Sequence, residues 1–313
     1  MGVMIEGIYH TDDPGPDTVL NGAFERQKSN IRNWITTDAL AEFTPDAGRY
    51  HLFAAWNCPW AHRALLIIAL KGLRDQITIS YAKPRRTDQG WIFDPVGPYV
   101  DPLFHASSLH QIYTRVDPSY TGRITVPLLW DKVQGRAVSN ESADIVRMLN
   151  DAFATGPDLA PADLRSSIET WNTQIYRDVN NGVYRAGFAR TQDAYDSAVF
   201  AVFAALDLIE TQLSNTRYLT GDRFTEADLR LFPTLARFDV AYHYAFKCNI
   251  RRLMDYPHLW AYTREIYQMP GVAETVDFEI YKQGYFSPSP LRNPLGIVPA
   301  GPQIDWTAHH DRG

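Results

Sequence analysis

The stretch that most constrains this chain is a junction at residues 49–70. Arg49-Tyr-His-Leu-Phe-Ala-Ala-Trp56 reads as a short buried strand, and Ala64-Leu-Leu-Ile-Ile-Ala-Leu70 as an apolar helix. Between them lies Asn57-Cys-Pro-Trp-Ala-His-Arg63. Cys58 therefore falls where strand turns into helix, with Pro59 just inside the helix, a position whose backbone N–H groups have no helical acceptor. The positive end of the helix dipole favours thiolate over thiol there. A buried structural cysteine is the common alternative for a lone Cys, but it leaves the Cys-Pro helix start unexplained.

The fourth position of the motif is Ala61, not a second cysteine. A mixed disulfide formed at Cys58 has no neighbouring thiol to resolve it, so an external thiol must do so. This is the pattern of a glutathione-dependent thiol enzyme and not of a dithiol disulfide reductase.

The length of 313 residues suits two domains of ordinary size, and 45% hydrophobic residues can fill their cores. A formal net charge of −6 argues against nonspecific nucleic-acid binding, which needs a basic surface. The two cysteines, Cys58 and Cys248, are too few for a disulfide framework and are not spaced as a metal site; a reducing, cytoplasmic setting fits. Nine histidines include His309-His310 but no His-Glu-x-x-His pattern, so no metal is expected. No basic region followed by an apolar stretch opens the chain, and Asp12, Asp13 and Asp17 follow, which argues against a secretory signal. No run of about 18 uncharged apolar residues predicts a membrane span.

Residues 1–48 are polar, with Gly and Pro, and read as an N-terminal extension. Strand, helix and strand follow at 50–56, 59–73 and 77–82. Residues 83–123, rich in Pro, Gly, Asp and Tyr, read as inserted loops. A strand pair at 124–130 and 134–138 follows, and Ser139-Asn-Glu-Ser142 opens a helix through Leu149. A βαβ unit followed by a ββα unit is the thioredoxin-like arrangement, here over 49–152. Gly156-Pro157 to Pro161 reads as a linker. Residues 162–268 are helical in pattern: Tyr195, Val199, Val202, Phe203, Leu206, Ile209 and Leu213 fall on one helix face. Thr225-Glu-Ala-Asp228 is a capping box, and Pro233 should kink or interrupt the helix that it opens. Residues 269–313 read as an extended tail.

Several motifs in order resemble one family. Asn57-Cys-Pro-Trp-Ala-His-Arg63, Ile124-Thr-Val-Pro-Leu-Leu-Trp-Asp-Lys132, Asn140-Glu-Ser142, Asn180-Asn-Gly-Val-Tyr-Arg-Ala-Gly-Phe188, Phe246-Lys-Cys-Asn-Ile-Arg-Arg252 and Asp255-Tyr-Pro-His-Leu-Trp260 look like the glutathionyl-hydroquinone reductases, the Xi class of the glutathione transferase superfamily. The resemblance runs from about Phe24 to the tail. It implies an α/β thioredoxin-like N-terminal domain followed by an all-α C-terminal domain. It also implies reduction of S-glutathionyl-hydroquinones, with glutathione as co-substrate, no tightly bound cofactor, and a homodimer. An Omega-like thioltransferase or dehydroascorbate reductase is the neighbouring alternative. A non-catalytic binding module of the same fold is a third reading, although a scaffold has no use for a helix-start thiol.

The resemblance also implies roles for residues. Cys58 is the nucleophile. Trp91, Arg123, Ile124, Thr125 and Val126 bind glutathione, with a cis Val126-Pro127 bond turning the Val126 main chain toward a tripeptide that pairs as an extra strand. Glu141 and Ser142, in the first turn of a helix, suit the ammonium and carboxylate of a γ-glutamyl end. Capping by Ser139 or Asn140 is compatible with this. Tyr184 matches the proton donor to the aromatic substrate, and Tyr242 and Tyr285 match hydrogen-bond donors to the thiolate. Gly284-Tyr-Phe286 stands where the family often has His-Tyr-Tyr. His62 reads as a helix-side residue, Arg63 as a structural or interface charge, and Cys248 as a packed cysteine.

Overall fold

The computed structural model of the chain describes residues 2–11 and 19–312; residues 12–18 of the expected N-terminal extension lie outside the described residues. Four short strands come first: β1 (Val3–Ile5), β2 (Ile8–His10), β3 (Val19–Leu20) and β4 (Ala23–Phe24). Then follow β5 (Tyr50–Ala54), α1 (Pro59–Leu70), β6 (Ile77–Tyr81), α2 (Leu109–Val116), β7 (Gly122–Arg123), β8 (Leu128–Asp131), β9 (Arg136–Ser139) and α3 (Ser142–Ala152). The rest is helical: α4 (Arg165–Ile175), α5 (Gly182–Phe188), α6 (Gln192–Leu213), α7 (Glu226–Arg237), α8 (His243–Ala245), α9 (Pro257–Tyr267) and α10 (Phe278–Tyr285). Two compact units result, one of residues 2–11 and 27–156, the other of residues 19–26 and 157–312.

The first unit is built on a four-stranded sheet in the order β6-β5-β8-β9, with β5 and β6 parallel and the other pairs antiparallel. All five residues of β5 are buried, as a central strand requires. One of them is polar: His51, whose ring nitrogens lie 2.7 Å from Thr78 Oγ1 and 2.8 Å from Ser80 Oγ. Burial pulls its pKa down to about 4, so the ring is neutral and these hydroxyls satisfy it. Helix α1 is buried along most of its length, from Pro59 to Ile68, and packs on α3. The buried Arg49–Asp131 ion pair, at 2.6 Å, ties the start of β5 to the end of β8, and Asp131 also accepts the Val133 N–H of the following turn.

The stretch expected as inserted loops carries a helix, α2, with Leu109, Ile112 and Tyr113 buried. Its apolar face is only three residues wide in a polar setting, too short for periodicity over the usual window to show. The N-terminal stretch is also more than a lead-in: β1 pairs with both β2 and β7 in a second, three-stranded sheet.

In the second unit, α6 buries the expected stripe, with Val199, Val202, Phe203, Leu206, Ile209 and Leu213 all inside and Tyr195 at its margin. The capping residue Asp228 does more than cap. Its carboxylate accepts from the Thr225 N–H at 2.8 Å, the Leu219 N–H at 3.0 Å and the Tyr262 hydroxyl at 2.8 Å, all buried. Pro233 does not interrupt its helix: α7 runs on through it. The missing N–H removes one helical bond, but Leu231, Phe232, Leu235 and Ala236 bury around it, and the Arg237 guanidinium donates to the Pro233 carbonyl at 2.8 Å. The irregularity comes one turn later, as a wide π-turn over Phe238–Tyr242. Nor does the chain stay extended past residue 269. Asp277 caps α10, and Trp306 returns to stack on Phe278 at 4.6 Å beside Trp260 and Tyr267. Among the described residues no helix is long and apolar enough to cross a membrane.

Candidate active site

The first unit holds the thiol. Cys58 is the N-cap of α1, with Pro59 at the first helical position, and its own carbonyl accepts the His62 N–H at 3.0 Å. Its N–H donates to Ala55 O at 3.0 Å, which folds the chain tightly from strand into helix. The cysteine is 9% exposed. Its Sγ lies 3.5 Å from the Val126 carbonyl oxygen, so sequence-distant residues 58 and 126 meet. The Val126-Pro127 bond is cis, as the fold analogy anticipates. His62 and Arg63 are buried in α1, and the Arg63 guanidinium lies 4.6 Å over the Trp60 ring.

The segment 123–126 is held from behind by two tyrosines. The Tyr113 hydroxyl donates to the Thr125 carbonyl at 2.8 Å and accepts from Asn140 Nδ2 at 3.2 Å. The Tyr120 hydroxyl donates to Asn30 Oδ1 at 2.9 Å and lies 3.3 Å from the Arg123 carbonyl. Burial pushes both phenols upward, so they stay protonated and keep donating. Ile124 and Val126 are buried, Arg123 and Thr125 half-buried. Trp91 is also buried, with the Arg86 guanidinium 4.3 Å over its ring.

The helix start at α3 differs by one step from the sequence reading. Glu141, not Ser139 or Asn140, is the N-cap, and one of its carboxylate oxygens accepts the Ala143 N–H at 3.1 Å. Ser139 serves from outside, its hydroxyl accepting the Glu141 N–H at 3.0 Å. Ser142 is the first helical residue and is buried. A carboxylate and a hydroxyl thus flank a helix N-terminus, a setting that takes an anion at the N–H groups and an ammonium at the carboxylate.

The second unit brings the three sequence-predicted tyrosines together. The Tyr285 hydroxyl lies 2.9 Å from that of Tyr184 and 2.8 Å from that of Tyr242. Tyr184 comes from α5, Tyr242 ends the π-turn after α7, and Tyr285 ends α10. A second π-turn, Tyr176–Asn180, precedes α5; such wide turns recur where a helix must re-aim a functional side chain. Burial pushes the Tyr242 and Tyr285 phenols well above their ordinary range, Tyr184 adds to this, and the Arg237 guanidinium pulls the other way. Both are therefore O–H donors at neutral pH. Gly187 lets Phe246 close against α5: a Cβ there would sit 2.2 Å from the Phe246 ring.

Sequence reasoning missed the groups that frame this row. Arg237 is fully buried and stacks 3.7 Å over Tyr281. Arg26 lies 4.8 Å over the Tyr184 ring and donates to Asn181 Oδ1 at 2.8 Å, and Arg292 lies 4.3 Å over Phe188. The signal available for Arg237 is its place on the apolar face of α7; Arg26 and Arg292 stand in loops without pattern. Cys248 is fully buried, and burial pushes its thiol up to about 12, which makes it inert packing. Among the described residues no cluster of His, Cys, Asp or Glu could hold a metal ion.

Comparison with known proteins bears on both units. Residues 57–152 match the family described as Glutathione S-transferase, N-terminal domain, and residues 192–265 match Glutathione S-transferase, C-terminal domain. The chain is 45% identical to the glutathionyl-hydroquinone reductase YqjG of Escherichia coli, covering 100% of this chain and 98% of that protein. It is also 45% identical to the glutathionyl-hydroquinone reductase PcpF of Sphingobium chlorophenolicum, over 96% of each. Among solved structures, a Xi class glutathione transferase from Natrialba magadii superposes with a TM-score of 0.93 at 42% identity, over 100% of this chain and 96% of that one. The glutathione-bound structure of YqjG superposes with a TM-score of 0.90 at 42% identity, over 99% of each.

Proposed function

The chain belongs to the glutathionyl-hydroquinone reductases, the Xi class of glutathione transferases, and on that premise we propose that it reduces S-glutathionyl-hydroquinones to free hydroquinones with glutathione as reductant. The observation that carries this reading is the lone helix-start thiol of Cys58 beside the Val126 carbonyl, with Ala61 where a resolving cysteine would stand. The thiolate form of Cys58 is the nucleophile.

The Cys58 thiolate attacks the sulfur of the aryl–S–glutathione conjugate. A sulfur–sulfur bond forms, the aryl carbon–sulfur bond breaks, and its electron pair goes to the ring carbon. Tyr184 supplies the proton there, which completes the hydroquinone. A second glutathione thiolate opens the Cys58–glutathione disulfide, releasing glutathione disulfide and restoring the Cys58 thiolate. Tyr184 recovers its proton from solvent, which received the one shed by the second glutathione.

Binding is assigned to the Val126 main chain as a strand partner, to Glu141 and Ser142 for the γ-glutamyl end, and to Trp91, Arg123, Ile124 and Thr125 for the rest of the tripeptide. What supports it is the helix start at Glu141–Ser142 and the firm backing of residues 123–126 by Tyr113 and Tyr120. A thioltransferase or dehydroascorbate reductase would use the same thiol, but its sulfur or oxygen leaving groups need little acid help. The row of protonated phenols favours the carbon–sulfur substrate. The test is to incubate the enzyme with a glutathionyl-hydroquinone and glutathione. Release of hydroquinone with one equivalent of glutathione disulfide is expected; its absence, with disulfide substrates turned over, would replace this reading by the thioltransferase one.

A further inference from the structure

The N-terminal hairpin of β1 and β2 reaches both loops to which the proposed function assigns glutathione's outer groups. At one end, β1 pairs with β7, placing Val3 opposite Arg123 and Met4 opposite Gly122. The Glu6 N–H donates to Thr121 Oγ1 at 2.9 Å, and the Gly7 N–H to the Tyr120 carbonyl at 3.1 Å. At the other end, the Tyr9 hydroxyl donates to the Asp88 carbonyl at 3.2 Å, three residues before Trp91. The Tyr9 ring stacks on the His110 ring, 4.2 Å apart and 13° from parallel, and His110 Nε2 lies 3.1 Å from Gln89 Oε1. The fit is close: a Cβ on Gly90 would stand 2.9 Å from the Tyr9 hydroxyl.

We propose that this hairpin is a positioning element for glutathione, with Tyr9 as the residue that fixes the loop carrying Trp91 while β1 fixes Arg123. The inference rests on the glutathione reading of Trp91 and Arg123. Two short loops that must hold a flexible tripeptide lose affinity when they are free to move, because the ordering entropy then falls on the binding step. The hairpin meets that cost beforehand, through one ladder and one aromatic stack. Neither Tyr9 nor His110 takes part in the sulfur chemistry, so the effect belongs to binding and not to turnover.

The experiment uses the full chain with Tyr9→Ala, Tyr9→Phe and His110→Ala, and Trp91→Ala as a reference. Calorimetric glutathione affinity, KM for glutathione, kcat at saturating glutathione, and the rate of Cys58 alkylation by iodoacetamide are measured. Tyr9→Ala and His110→Ala are expected to weaken glutathione binding by about fivefold and to raise KM in step, with kcat and alkylation unchanged. Tyr9→Phe, which keeps the stack, should recover most of the affinity, and a variant combining Tyr9→Ala with His110→Ala should be no weaker than the singles because both break the same contact. Unchanged affinity in Tyr9→Ala and His110→Ala, beside a loss in Trp91→Ala, would overturn the proposal while leaving the site reading intact. Unchanged affinity in Trp91→Ala as well would instead strike the site reading. Faster Cys58 alkylation in Tyr9→Ala would mark a general loosening of the unit and also count against it.

Discussion

The two units handle protons in opposite ways. In the first, the groups assigned to the proposed chemistry are a cysteine and a carboxylate, each at a helix N-terminus. In the second, three phenols sit in a row among aromatic rings, and burial keeps protons on at least two of them. On the proposed reading, the first unit supplies the nucleophile and the second supplies the acid. The proposed carbon–sulfur cleavage needs both, and the residues assigned to each lie in different units that can be altered one at a time.

The largest effect should come from the thiol. Cys58→Ser is expected to bring turnover to background, because a hydroxyl at the same helix start remains protonated and is a poor nucleophile toward sulfur. Glutathione affinity should stay largely intact, since it is assigned to Val126, Glu141 and Ser142. Calorimetry on the variant checks this, and a loss of binding from this change alone would merge the two functions that the comparison separates.

Next in size is Tyr184→Phe, which removes the proposed acid. Conjugate reduction should slow by roughly a hundredfold, the scale of a lost general acid. Reduction of the mixed disulfide of hydroxyethyl disulfide should be spared, because its leaving group is a thiolate. Equal losses on both substrates would return Tyr184 to a packing role in the aromatic cluster with Phe188 and Phe246.

The contrast also explains what could be read in advance. Cys58, Pro59 and Ala61 lie within four residues, and their chemistry follows from a helix start that is itself a local pattern. The capping box at Thr225 and the stripe on α6 were legible for the same reason. The row of phenols joins residues 43 and 101 positions apart, and only the resemblance, not spacing, pointed to those three of 17 tyrosines. Tyr113 was hidden in a stretch read as loops, Arg237 on an apolar helix face, and the pairing of β1 with β7 spans more than a hundred residues that no periodicity links. Pro233 shows the limit from the other side: a local rule that allows a break in the helix was not enough to make one where α7 packs around it.

Opposite proton handling predicts opposite pH weaknesses. In the first unit, burial lowers His51 from an ordinary 6.5 to about 4. The unfolded chain then binds a proton that the folded one refuses, so stability is full above pH 6.5 and is lost as pH falls toward 4, by on the order of 3 kcal/mol. In the second unit, Tyr242 and Tyr285 are held above the phenol value of 10.0, so their contribution is full below pH 10 and is lost as pH rises beyond it. Urea midpoints at pH 7 and pH 4 should show the acid loss in the native protein and a shallower one in His51→Asn. Tyrosinate absorbance should show these two phenols ionising only as the helical unit opens. An equal acid slope in the variant, or free titration of every tyrosine near 10, would remove the distinction.

The smallest effect tests the inside of the row. Tyr285 stands between two hydroxyls, whereas Tyr242 ends the line and is fully buried. Tyr285→Phe strips both bonds and leaves the buried Tyr242 hydroxyl without that partner, a loss of about 1–3 kcal/mol. Tyr242→Phe removes one bond and the buried hydroxyl with it, so it should cost only about 1 kcal/mol. The double variant should therefore be less destabilised than the sum of the singles, since the second change deletes the group that the first one stranded. On activity, Tyr285→Phe should slow conjugate reduction by about tenfold, less than Tyr184→Phe, because it unsettles the proposed acid without removing it. Additive stabilities would show that the hydroxyls are independently solvated, and the second unit would then hold three separate phenols instead of one coupled proton-holding row.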